Sequence, residues 1–179
     1  MRVLRNGVLL AVAAVGAVTP VRAQAVTANA VKAAYLTKFA PFIEWPASSQ
    51  PPDAPFVICI VGNDPFGDVL DRVAAGQKSD AHAIAIKRVQ AVEPDCKIMY
   101  AGSSADAARI SDATRNAPVL TVSDADTDGG AHGIICFVRE KDHVRFDIDA
   151  GAARQHGLVM SSKLLDLARK VVNPPEAAP

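Results

Sequence analysis

The sequence predicts a single α/β domain, with a mixed, mostly parallel sheet, a C-terminal antiparallel hairpin and helices on both faces. Three observations predict it. Short unbroken apolar runs, FVICIV at 56–61 and IMYA at 98–101, have the length and pattern of strands covered on both sides. Segments with helical spacing alternate with these runs, the rhythm of strand–helix–strand units. Late in the chain VRFDID (144–149) alternates strictly: Val144, Phe146 and Ile148 face one way, Arg145, Asp147 and Asp149 the other. Such alternation marks a half-exposed antiparallel strand.

The elements follow in order. Arg2 and Arg5 precede an uncharged apolar stretch from Gly7 to Val18; Thr19-Pro20 breaks it, and Ala23 and Ala25 offer small residues for cleavage. This is the layout of a secretory signal peptide, and the stretch falls short of the roughly 20 residues a bilayer span needs. Residues 1–23 are therefore expected to be a signal peptide, cleaved after 23 or 25, followed by a domain at 27–173 and a flexible tail at 174–179. Val31, Tyr35, Phe39 and Phe42 recur at helical spacing, Asn29 or Thr27 can cap the start, and Pro41 should end the helix near Ala40. The Pro-rich residues 46–55 read as a linker into the first strand. Asp64 followed by Pro65 predicts an N-cap and first helical position, and Gly76 a terminator.

A short alternating strand at 83–89 places Ile84 and Ile86 on one side. Ser103, Ser104 and Asp106 open a helix carrying Ala107, Ala108 and Ile110 to about Asn116, and residues 118–122 form the next strand. Strands at 134–138 and 144–149 make the hairpin, with Glu140-Lys141-Asp142 as its turn. A short helical turn at 152–156 ends at Gly157. Ser161 or Ser162 caps a closing helix expected to bury Leu164, Leu165, Ala168, Val171 and Val172.

Composition limits function. Without its leader the chain carries 16 basic and 19 acidic residues, which argues against nucleic acid as a partner. The loop after Gly62 sits where α/β proteins hold anions, but it lacks both G-x-G-x-x-G and G-K-[ST], so a capped turn is the simpler reading. Asp124, Asp126 and Asp128 alternate as in a calcium loop, yet position twelve is Ile135 and strands flank the segment, so it reads as a polar loop. His82, His132, His143 and His156 have no zinc spacing, and no G-x-S-x-G surrounds a serine. Ser161-Ser162-Lys163 is better explained as a cap than as a serine–lysine pair, and Asp147 with Asp149 as surface charge. No catalytic residue, metal or cofactor is expected. Cys59, Cys96 and Cys136 allow one bridge with one thiol left over, or buried inert thiols.

Read together, AVKAAYLTKFAPFIEWP (30–46), PFVICIVGNDPFGDVLD (55–71), CKIMY (96–100) with VLTVSD (119–124), and GIICFVREKDHVRFDIDAGAARQHGLVMSSKLLDLAR (133–169) resemble the YfiR family of exported bacterial proteins. The resemblance implies a non-enzymatic periplasmic repressor. Its partner would be the periplasmic domain of an inner-membrane signalling protein, either a diguanylate cyclase, whose cyclic-di-GMP output it lowers, or a sensor kinase. A homodimer is a further expectation from the family. The resemblance also implies a Cys59–Cys96 disulfide, worth roughly 4 kcal/mol at most by loop entropy. The family's second bridge near the late hairpin has no counterpart here, because Cys136 has no neighbouring cysteine. Phe39, Phe42 and Trp45, at the end of the first helix, are the candidate docking anchors. A reading from a different class is a periplasmic small-ligand-binding module feeding a membrane sensor or transport system, using the loop after Gly62 or residues 123–133.

Overall fold

An eight-stranded sheet organises the computed structural model, which describes residues 27–125 and 132–172. The expected signal peptide, the tail at 174–179, and Asp126 and Asp128 of the acidic loop lie outside the described residues. In chain order the elements are α1 (Ala28–Lys38), a 3-10 turn (Ala40–Phe42), β1 (Ile43–Glu44), a second 3-10 turn (Ala47–Ser49), β2 (Phe56–Val61), α2 (Asp68–Ala74), β3 (Lys78–Ser79) and β4 (His82–Val89). There follow β5 (Cys96–Ala101), α3 (Ser104–Thr114), β6 (Leu120–Asp124), β7 (Ile135–Glu140), β8 (His143–Asp149), α4 (Ala150–Gln155), β9 (Val159–Met160), α5 (Ser162–Leu167) and β10 (Lys170–Val172).

The spatial order is β10-β8-β7-β6-β5-β2-β4-β3. The run from β4 through β2, β5 and β6 to β7 is parallel; β7–β8 and β3–β4 are antiparallel, and β10 joins β8 in parallel. The predicted fold class is the observed one.

Alternation along each strand builds two cores. Phe56, Ile58, Ile60, Ile98, Tyr100, Leu120, Val122, Phe137 and Phe146 face α1 and α2. On the opposite face Val57, Cys59, Val61, Met99 and Ala101 meet Ala107 and Ile110 of α3. This is why the central strands read as continuous apolar runs: both of their faces are covered. Thr27 caps α1 through Ala30 N–H, Ser103 caps α3 through Asp106 N–H, and Pro41 stands in the 3-10 turn that ends the first helix.

Three expectations are corrected. Asp64 does not cap α2, which begins four residues later behind Gly67. The Asp64 carboxylate instead accepts Phe66 N–H at 2.7 Å and pairs with Arg88 at 2.7 Å, and Gly67 adopts φ +51°, outside helical space. The closing helix ends at Leu167, because Ala168 turns extended and Lys170–Val172 pairs along the open edge of β8. Residues 46–55 are not a free linker either. Lys97 of β5 donates to the Ser49 carbonyl, and His82 Nδ1 of β4 lies 2.7 Å from the Ala54 carbonyl, which ties the segment to the sheet.

Candidate functional site

Phe39, Phe42 and Trp45 emerge where α1 gives way to the 3-10 turn and β1, and the structure separates them by depth. Phe39 is a core residue, stacked on Tyr35 at 5.9 Å and edge-on to Phe146 at 5.3 Å. It cannot itself reach a partner, which corrects its reading as an anchor. Phe42 is half-buried. The half-buried indole of Trp45 packs edge-on against Phe56 at 5.2 Å. Antiparallel pairing of β1 with β9 sets Glu44 opposite Val159, and Val159 is 59% exposed. Val159 had no sequence signal, since its exposure follows from a two-residue pairing between segments more than a hundred positions apart.

The crevice at the carboxyl ends of β2 and β5 is where strand order reverses and where α/β sheets commonly take ligands. Here it is filled by protein. A Cβ on Gly62 would collide with the Asp106 carboxylate, and one on Gly102 with the backbone of Asn63. Asp106 accepts the Ser103 hydroxyl at 2.7 Å and pairs with Arg109. The Ser103 hydrogen bond, with help from Arg109, holds the Asp106 carboxyl below its usual range against the opposing effect of burial.

Beside the crevice, Arg88 gathers Asp64, Asp71 and the Gly67 carbonyl. Its bond to Asp71 most strongly raises the guanidinium and lowers the carboxyl. These groups satisfy one another, which disfavours the loop after Gly62 as a ligand site.

The other candidates are likewise engaged. Asp147 holds Arg169 through two bonds of 2.8 and 2.5 Å, while Asp149 caps α4 by accepting Ala152 N–H at 2.9 Å. Ser161 caps α5. Among the described residues no group of three or more His, Cys, Asp or Glu side chains is placed to hold a metal, and no helix is long and apolar enough to cross a membrane.

Cys59 and Cys96 are joined in a disulfide across the adjacent strands β2 and β5, with Cα atoms 5.8 Å apart, beneath α3. A register shift opposite Val57 and Ile58 lets Cys96 and Met99 share that face and leaves Lys97 as the extra residue. Burial pushes the Lys97 amine down, with Asp95 opposing. Cys136 is buried on β7, opposite Asp147, with His132 Nδ1 at 3.6 Å. β6 separates it from β5, so its backbone stands about 9–10 Å from that strand. That exceeds the span a disulfide bridges.

Residues 29–169 match the YfiR/HmsC-like family. The chain belongs to that family. No curated protein matches it. The Cys59–Cys96 bridge that the resemblance implied is present, in the two apolar runs. On the late hairpin the strand position facing Cys136 is Asp147, held by Arg169.

Proposed function

We propose that this chain is an exported, non-enzymatic repressor that works in the periplasm. It docks on the periplasmic domain of an inner-membrane signalling protein, a diguanylate cyclase first and a sensor kinase second, and lowers cyclic-di-GMP output. The observation that carries this reading is the family match, which spans almost the whole described body. The docking face would centre on Phe42 and Trp45, extended by Val159 across β1 and β9, with Phe39 holding the corner from within. An aromatic anchor ringed by small apolar contacts is the kind of surface that concentrates binding energy.

Deleting the gene and measuring cyclic-di-GMP tests the reading. The expected result is a rise that plasmid-borne protein reverses. An unchanged level, in cells shown to express a membrane diguanylate cyclase, would overturn it.

A further inference from the structure

A groove of about 520 Å³ opens beside Trp45, bounded by the 3-10 turn after α1, the Ala47–Ser49 turn and the connection between β3 and β4. Its walls divide by chemistry. Trp45 and Phe56, set edge to face, and the rings of Pro41 and Pro46 give it apolar surface. Glu44 and Asp80, both exposed, bring two carboxylates, and no lysine or arginine is among the lining residues. Asp80 is fixed at a φ of +52° in the turn between the two strands.

Behind the rim, Gln50 and His82 both direct donors at the Ala54 carbonyl. His82 Nδ1 lies 2.7 Å from the Ala54 carbonyl and so donates to it. Gln50 spends its amide N–H groups on Ala54 and Pro55 while its Oε1 is buried without a partner. Trp45 Nε1 is likewise buried and unpartnered.

We propose that the groove binds a small organic cation: a protonated primary amine carried on an aromatic or other apolar body. The body packs along the indole and proline surface. The ammonium group faces Glu44 and Asp80, where opposite charge and the aromatic face both favour it. The volume lies within the range of small-molecule sites. A neutral isostere loses the charge term, and an anion is repelled by both carboxylates.

Trp45 is the chain's only tryptophan, so its fluorescence reports directly on the groove. The test titrates purified protein with 2-phenylethylamine, 2-phenylethanol and phenylacetate. The expected result is saturable quenching by the amine alone, with Kd roughly millimolar or tighter. Added salt weakens it, and Glu44→Gln or Asp80→Asn each weakens it about fivefold.

Equal responses to amine and alcohol, a change that never saturates, or indifference to both substitutions would overturn the proposal. If a variant fails to fold, the salt series on the unaltered protein decides the question in the same two directions. No partner protein enters the titration, so its failure leaves the repressor reading untouched.

Discussion

Cys59 and Cys96 close a loop with a sequence separation of 37 residues, and that length sets what their bond contributes. Replacing both by alanine is expected to lower unfolding free energy by as much as about 4 kcal/mol, the loop-entropy ceiling for that separation. Urea denaturation of the double variant checks this, and an unchanged midpoint would refute it. Asp106 makes a pH-dependent contribution. Its carboxyl is held low by Ser103 and Arg109 in the folded state, so the stability it adds is complete above the unfolded value of about 4. That stability is lost as pH falls through the lower, folded value. Asp106→Asn should therefore reduce Tm at pH 7 and converge on the parent as the medium is acidified. A gap of equal size at both ends of the titration would sink this account.

Among the elements, the junctions of β2 and β5 with their loops tolerate least change. Gly102→Ala drives a Cβ into the backbone of Asn63, where no side chain can move aside, and is expected to cost about 1–3 kcal/mol or more. Gly76→Ala meets nothing within 4 Å and pays only for its left-handed backbone, about 1 kcal/mol. Thermal melts of the two variants should separate in that order.

Elements with strong local signals were readable: α3 from Ser103 and its apolar face, β2 and β5 from unbroken apolar runs, β8 from strict alternation. The pairs β1–β9 and β8–β10 were not. Two- or three-residue strands carry no periodicity of their own, and only a waiting edge turns them into structure. The same holds for Lys170–Val172, whose valines suit a helix face or a strand until β8 offers its open side.

At the scale of the whole molecule, depth separates the aromatic residue that serves the core from the one the proposed docking face relies on. Phe39 lies inside the cluster of Tyr35, Phe137 and Phe146, so Phe39→Ala should cost about 3–5 kcal/mol. Trp45→Ala, at the half-buried rim, should leave a folded protein that no longer lowers cyclic-di-GMP. Circular dichroism with a cyclic-di-GMP assay separates the two outcomes, and full repression by folded Trp45→Ala would remove the docking face. The candidate site was half legible: the aromatic segment stood out as a helical stripe, but its division into core and rim depends on Phe137 and Phe146, about a hundred residues away.

By itself the sequence determined the α/β class, the order of the main elements and the kinship that resemblance pointed to, because periodicity, caps and apolar runs are local properties of a chain. Tertiary structure alone decided that the crevice after Gly62 is filled, that Phe39 lies in the core while Trp45 stays at the rim, and that a carboxylate-rimmed groove opens beside Trp45. Each of those depends on strand register and on which face a side chain takes, and a register is fixed only when distant segments pack together.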